Sequence, residues 1–205
     1  MNYFVTAIDT DSGKTLVSAI LCEALRAEYW KPIQAGLPRD ADAIKSLVGN
    51  EIKIHPEAYL LQTPASPHAA AKLDGVQIHC INFKLPLTQN DLVIEGAGGC
   101  LVPLNDREFV IDLMVHFKAE VILVADLYLG SINHTLLTIE ALRARKIFVR
   151  GIIFNGVPNP ESERIILLHS QLPCLLKIKR EKKIDKPVVI QYAQMLNQNW
   201  HGQPA

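Results

Sequence analysis

The sequence predicts an α/β protein in which helices flank a mostly parallel central sheet. Short apolar runs of strand length alternate with helical patterns along the chain, as in stacked βαβ units. The tripeptide Gly13-Lys14-Thr15 stands between the first apolar run and the first amphipathic helix, where a phosphate-binding loop would lie. Hydrophobic residues make up 49% of the 205 residues, enough to bury a sizeable core. We therefore expect a layered fold with a ligand site where the strands end.

The same patterns predict individual elements. Strands are predicted over Tyr3–Thr6, Tyr29–Ile33 with a break at Pro32, Asp91–Glu95, Glu120–Ala125, Phe148–Phe154 and Leu175–Ile178. Helices are predicted over Lys14–Ala27, Ala43–Val48, Asn133–Arg143, Glu161–Ser170 and Val188–Leu196. Gln34–Arg39 and Leu61–His68 have the composition of linkers, and Trp200–Ala205 is expected to fray. The length favours one domain over residues 1–205.

Composition and charge argue against several classes of protein. The formal net charge is +0, so no overall field draws the chain to nucleic acid or to an anionic membrane. The N-terminus lacks a signal-peptide pattern, and no apolar run could span a bilayer. We therefore expect a cytoplasmic protein. Its cysteines are too scattered for a zinc pattern and are expected to be free thiols: Cys22, Cys80, Cys100 and Cys174.

The segment Ala7–Thr15 has the features of a triphosphate-binding loop. Backbone N–H groups at the start of the following helix would face the anion, and the helix dipole favours negative charge there. Lys14 would neutralise the outer phosphates, and the Thr15 hydroxyl would bind Mg²⁺. Ile8 stands where the strict pattern has glycine, so an ordinary strand–turn–helix is the alternative. The context favours phosphate binding, and with it a P-loop NTPase-type three-layer fold.

Polar residues at the other strand ends are further candidates, because ligands of parallel sheets gather there. Glu95 could reach a metal held by the phosphates, or be a surface acid. Lys31 lies in a strand between apolar neighbours and needs an anion or a path to water. Asp40 and Asp42 open a helix, and either could cap it or bind a metal. Asn155 could contact a base edge or form a turn with the next glycine.

Two more segments allow a functional and a plain interpretation. Ser66-Pro67-His68 pairs a serine with a histidine but lacks a nucleophile elbow and a placed acid, which argues against a hydrolase triad. Leu129–Asn133 precedes a helix and could bind a second anion such as a carboxylate, although its local sequence favours simple capping by Ser131. The basic run Lys177–Lys183 has the pattern of a solvated face.

Taken together and in this order, the motifs resemble those of the dethiobiotin synthetase family. They are Thr10-Asp11-Ser12-Gly13-Lys14-Thr15, Trp30-Lys31-Pro32-Ile33-Gln34-Ala35-Gly36, Asp40-Ala41-Asp42, Ser66-Pro67-His68, Ile94-Glu95-Gly96-Ala97-Gly98-Gly99 and Leu129-Gly130-Ser131-Ile132-Asn133. The resemblance implies a homodimer that uses ATP and Mg²⁺ to join 7,8-diaminononanoate and CO₂. A carbamate forms on one amine, ATP phosphorylates it, and the second amine closes the ureido ring.

The resemblance also implies a role for each matching residue. Lys14 and Lys31 would be catalytic, and Mg²⁺ would be held by Thr15, Asp42 and Glu95. The nucleotide would be bound by Asp11, Ser12, Gly13, Lys14, Thr15, Leu16, Asp42, Glu95, Gly96, Ala97 and Gly98, with Asn155 at the adenine. The substrate would contact Lys31, Ala35, Ser66 and Pro67, and its carboxylate would meet Gly130, Ser131, Ile132 and Asn133 of the partner subunit.

The chain departs from the family pattern at Ala7, at Ala35 and near Lys179-Arg180-Glu181. Two other functions are therefore kept as alternatives. A regulatory or partitioning P-loop ATPase would usually carry a second lysine early in the loop, and Ala7–Ser12 contains none. A non-catalytic module on a degenerate loop would explain Ala7 and Ala35, but it does not explain why lysine, threonine and acidic residues are all retained.

Overall fold

The computed structural model describes residues 1–200, and a parallel sheet forms its centre. Its strands are β1 Asn2–Ala7, β2 Glu28–Trp30, β3 Ile33–Ala35, β4 Ile54–His55, β5 Tyr59–Leu61, β6 Leu92–Gly99, β7 Glu120–Asp126, β8 Val149–Asn155 and β9 Cys174–Ile178. Seven of them form one sheet in the order β4-β2-β6-β1-β7-β8-β9. Every neighbouring pair in that sheet is parallel, so the carboxyl ends of the strands share one edge.

Helices cover both faces of this sheet. They are α1 Lys14–Leu25, α2 Asp40–Leu47, α3 Pro67–Leu73, α4 Val110–Phe117, α5 Ser131–Ala144, α6 Pro160–Ser170 and α7 Lys186–Trp200. Residues of α1, α2 and α7 pack with one face, while residues of α3, α4, α5 and α6 pack with the other. Along β1, Tyr3 and Val5 belong to one cluster and Phe4 to the other, as the two-residue period of a strand requires. The predicted three-layer α/β fold is confirmed.

The predicted strand Tyr29–Ile33 is in fact two strands. β2 ends at Trp30 and belongs to the large sheet, whereas β3 begins at Ile33 and pairs with β5 in a separate two-stranded sheet. Pro32 between them has no N–H to offer to a ladder. The segments predicted as linkers, Gln34–Arg39 and Leu61–His68, contain parts of β3, β5 and α3. These elements and β4 are too short for their hydrophobic residues to show a helix or strand period. The nearly continuous apolar run of α4 shows no such period either, so the sequence did not predict these elements.

The last helix continues to Trp200, so the prediction that this residue frays is wrong. Trp200 is 6% exposed. Its ring meets the ring of Tyr3 edge-on at 5.2 Å between centroids, and the Arg150 guanidinium lies 4.2 Å from its ring centroid. These contacts supply the burial that anchors a chain end. The rest of the predicted frayed tail, and the end of the predicted single domain 1–205, lie outside the described residues.

Two further expectations concern the whole described chain. All four cysteines are free thiols, as predicted. Among residues 1–200, no helix combines the length and the apolar character needed to cross a bilayer.

Candidate active site

The loop between β1 and α1 ends in a glycine that no other residue could replace without strain. Gly13 has φ +97°, in the left-handed region, and a Cβ placed on it would lie 2.4 Å from Nδ2 of Asn155. That Nδ2 donates a hydrogen bond of 2.9 Å to the Ser12 carbonyl. The end of β8 thus supports the last turn of the loop, and α1 begins with its N–H groups directed at the strand-end edge.

Lys14 is buried at the start of α1 and closes the loop from inside. It is 6% exposed, and its Nζ donates to the carbonyls of Asp9 at 3.0 Å and Thr10 at 2.7 Å. Burial lowers the pKa of Lys14 to about 8, against the opposing attraction of the Glu95 carboxylate. Its ammonium is therefore a weakly hydrated cation in a loop shaped for an anion.

This lowered pKa predicts how ATP affinity depends on pH. Below about pH 8 Lys14 is protonated and attracts phosphate, whereas above it the free protein must take up a proton to bind ATP. We expect the ATP dissociation constant to rise between pH 7.5 and 9.5, approaching about tenfold per pH unit. Titration calorimetry in buffers of different ionisation enthalpy measures both the ATP dissociation constant and the number of protons taken up on binding. Lys14→Arg, which stays charged, is the control, and an equal pH dependence in that variant would contradict the assignment.

Glu95 lies in the site on β6, the strand that stands between β1 and β2 in the sheet. Its side chain is 1% exposed. It accepts hydrogen bonds of 2.9 Å from the Thr15 hydroxyl, the Tyr29 hydroxyl and the Lys31 ammonium. A carboxylate taken out of water requires such donors. Donors from α1, from β2 and from the residue that follows β2 therefore converge on one buried acid beside the phosphate loop.

Lys31 is a buried cation held between two carboxylates. It follows β2, is 6% exposed, and its Nζ contacts Glu95 and Asp40. Burial acts to lower the pKa of Lys31, but the charges of Glu95 and Asp40 outweigh it and the pKa is raised. The two carboxylates therefore favour the charged form of the lysine. The anion that the sequence analysis required beside this lysine is supplied by these two residues.

The structure corrects the choice between the two aspartates of α2. The Asp42 side chain is 58% exposed and pairs with Arg39, so it does not face the site as the resemblance implied. Asp40 faces it instead and contacts Lys31. Residues four apart share a helix face, and Ile44 is fully buried. The apolar Ile44 was therefore the sequence signal that distinguished Asp40 from Asp42.

These groups line a cavity of about 640 Å³. Of the predicted residues, those that line it are Asp11, Gly13, Lys14, Thr15, Lys31, Ala35, Ser66, Pro67, Glu95, Ala97 and Gly98. Those that do not are Ser12, Leu16, Asp42, Gly96, Asn155, Gly130, Ser131, Ile132 and Asn133. Asp40 and Gln34 line it without having been assigned to it. The volume suits a small polar molecule and part of a nucleotide.

The segment that begins α5 lies apart from the cavity of its own chain. Gly130 precedes the helix with φ +106°, and Gly130 and Asn133 are exposed while Ser131 is buried. Helix N–H groups at such an end remain available to an anion. The Ser131 side chain makes no capping bond, so capping by its hydroxyl, the local interpretation, is wrong.

Ser66 and His68 do form a pair, with 3.1 Å between Oγ and Nδ1. Among residues 1–200, no acidic side chain bonds to His68.

Oxygen ligands suited to Mg²⁺ converge beside Lys14. The Thr15 hydroxyl contacts Glu95, and Asp40 shares Lys31 with that same glutamate. Hydroxyl and carboxylate oxygens are the protein ligands that Mg²⁺ takes when it also binds phosphates. Within residues 1–200, no group of three or more His, Cys, Asp and Glu side chains forms a self-sufficient metal site, so phosphate oxygens would have to complete the shell.

Comparison with known proteins identifies the family. A family model described as an AAA domain matches residues 1–188. The ATP-dependent dethiobiotin synthetase of Cytophaga hutchinsonii is 59% identical over 203 residues, covering 97% of this chain and 98% of that protein. The chain belongs to the dethiobiotin synthetase family. Two more dethiobiotin synthetases support this assignment. That of Christiangramia forsetii is 49% identical and covers 94% of both chains. That of Chlamydia pneumoniae is 42% identical and covers 96% of this chain and 89% of that one.

Solved structures of two other proteins show the same fold. The septum site-determining protein MinD of Pyrococcus horikoshii, solved with Mg-ADP, matches with a TM-score of 0.58 and 15% identity, covering 98% of this chain and 96% of that one. A ParA family ATPase from Chlorobium tepidum matches with a TM-score of 0.52 and 14% identity, covering 99% and 94%. At this identity the likeness concerns the fold alone, and it confirms the P-loop NTPase type.

Proposed function

We propose that the chain is a cyclo-ligase that closes the ureido ring of dethiobiotin from 7,8-diaminononanoate and CO₂, using ATP and Mg²⁺. Its family membership supports this function. The observation that carries it is the placement of two buried lysines, Lys14 and Lys31, on one cavity on either side of Glu95. Phosphoryl transfer to a carbamate needs positive charge at the transferring group and at the acceptor.

The reaction places few demands on the protein beyond positioning and charge. One substrate amine bonds to CO₂ as a carbamate, and a carbamate oxygen takes the γ-phosphoryl group. The second amine then attacks the carbon, phosphate leaves and the ring closes. Lys14, at the start of α1, binds the phosphates, and Lys31, in the same cavity, orients the carbamate. No nucleophilic side chain is needed because the substrate carries both amines.

Thr15, Glu95 and Asp40 are proposed as the protein ligands of Mg²⁺, with Asp40 in the place that the resemblance gave to Asp42. All three oxygens lie around Lys31 and the start of α1. The ion, when bound, neutralises charge on the phosphate oxygens. Asp40 and Glu95 also hold Lys31, so the residues that would bind the ion are those that position this lysine.

A second copy of the chain is proposed to complete the site. Its Gly130, Ser131, Ile132 and Asn133 would bind the substrate carboxylate at the N-terminus of α5. Gly130 and Asn133 are exposed and do not line the cavity of their own chain, which supports this arrangement. Asn155 is proposed at the adenine through its amide oxygen, since its Nδ2 already bonds to Ser12. The cytoplasmic location remains a prediction.

An assay of product and nucleotide together tests the proposal. Purified protein is given the diamine, bicarbonate, Mg²⁺ and ATP, and dethiobiotin and ADP are measured by mass spectrometry and a coupled assay. We expect equal amounts of the two products and background ADP release without the diamine. ATP hydrolysis that ignores the diamine would instead favour the partitioning ATPase. That alternative now has little support, since the likeness to such proteins is one of fold alone.

A further inference from the structure

One buried amide holds the whole connection between β3 and α2. Gln34 is 5% exposed and lines the cavity. Its Nε2 donates to the Gly36 carbonyl at 3.0 Å, and its Oε1 accepts from the Asp40 backbone N–H at 3.1 Å. A single side chain thus bonds to both ends of the segment that follows it.

The bond to Asp40 replaces a missing helix cap. Arg39, at the capping position of α2, makes no side-chain capping bond, and helix N-termini normally need such an acceptor. Gln34 supplies it from a strand outside the helix. Because Asp40 is the first residue of α2, this bond also fixes where the Asp40 carboxylate lies relative to Lys31.

The bond to Gly36 fixes the substrate side of the same cavity. Gly36 has φ +78°, and a Cβ on it would lie 2.6 Å from Cβ of Pro64. Its N–H donates to the Leu61 carbonyl at 2.9 Å, and Gln34 holds its carbonyl. This glycine is therefore locked between β3 and β5, in the wall opposite the phosphate loop.

We propose that Gln34 is a positioning residue that sets Asp40 for Mg²⁺ and holds the Ala35–Leu37 wall for the diamine. The inference rests on the proposed function and deepens it. Gln34 acts through Asp40 and Gly36. Its loss weakens Mg²⁺ binding and diamine binding together, while binding of ATP without metal, which depends on Lys14 and the loop, is retained.

The test is ATP binding as a function of Mg²⁺ concentration, measured by titration calorimetry on Gln34→Met, a side chain of similar length without hydrogen bonds. We expect the Mg²⁺ concentration for half-maximal tightening of ATP binding to rise about tenfold, as loss of a buried acceptor predicts. ATP affinity in EDTA should stay within about twofold. The matched control is Gln62→Met, at an exposed glutamine just after β5 whose side chain makes no hydrogen bond within residues 1–200; it should change nothing.

A second variant separates the two bonds. Gln34→Glu keeps an acceptor for the Asp40 N–H but cannot donate to Gly36, so the KM for the diamine should rise several-fold while the Mg²⁺ requirement does not rise. If Gln34→Met lowers the Tm and leaves the Mg²⁺ requirement equal to that of Gln62→Met, the role is structural and the proposal is wrong.

If Gln34→Met does not fold, Gln34→Glu decides, and a tenfold rise in its Mg²⁺ requirement overturns the proposal. The Mg²⁺ readout needs no diamine. A wild-type protein that makes no dethiobiotin would therefore defeat the proposed function while the binding experiment still decides the role of Gln34.

Discussion

Replacing Lys31 by methionine is expected to lower kcat about a thousandfold while Mg²⁺–ATP binding is retained. Lys31 is a buried cation that lines the cavity, and Glu95 and Asp40 favour its charged form. Donors aimed at developing charge in a site that excludes water contribute about 10²–10³ in rate each, and a full positive charge belongs at the upper end. Methionine keeps most of the volume without the charge.

The experiment compares steady-state turnover with ATP binding measured by calorimetry. Lys45→Met, at an exposed lysine on α2, is the matched control and should behave as wild type. Removing Lys31 also leaves two carboxylates without their cation, so the Tm should fall, and turnover is therefore measured well below it. A kcat within tenfold of wild type in folded Lys31→Met would refute the catalytic role.

Adding one methyl group at Gly13 is expected to weaken ATP binding at least about a hundredfold. Gly13 has φ +97°, and its Cβ would lie 2.4 Å from Asn155 Nδ2, far inside any normal contact. Either the Asn155 side chain must leave the Ser12 carbonyl or the loop must shift. In both cases the phosphate-facing N–H groups lose the support that holds them in place. Misplaced N–H groups bind phosphate much more weakly, because the strength of a hydrogen bond depends steeply on its distance and angle.

Gly75→Ala separates the clash from backbone strain. Gly75 also has a positive φ, +69°, but its Cβ would meet nothing within 4 Å. The Gly75→Ala variant therefore carries only the roughly 1 kcal/mol of strain of a left-handed backbone. ATP dissociation constants for both variants are measured by calorimetry. Gly13→Ala should cost less affinity in an Asn155→Ala background than in the wild type, because the smaller side chain makes room for the added methyl group. Equal affinities in the two single variants would show that the contact with Asn155 does not matter.

The parts of the site that sequence predicts are those whose cause is local. A strand, Gly13-Lys14-Thr15 and a helix follow one another along the chain, so the loop can be identified without knowing what packs on it. Glu95 follows from its place near the end of a buried strand, since parallel strands end at one edge. The fold class follows from the same alternation of elements.

The residues that sequence missed or misassigned depend on contacts between distant segments. Asp40 and Asp42 differ only in helix phase, which Ile44 indicates but a motif does not. Gln34 acts through a side-chain hydrogen bond to a residue six positions later, and nothing in its neighbours reveals that bond. Tyr29 donates to Glu95 across 66 residues of chain. The short sheet of β3 and β5 depends on pairing rather than on a local period.

The position of β1 has a consequence for how the protein is made. Both of its neighbours come much later in the chain, since β6 begins at Leu92 and β7 at Glu120. At translation rates of roughly 5–20 residues per second, the first strand waits several seconds or more before a partner exists. During that interval the apolar stretch Tyr3-Phe4-Val5 has neither ladder partners nor a sheet to cover it. Newly made chains should therefore depend on chaperones that bind the N-terminus until β6 has emerged.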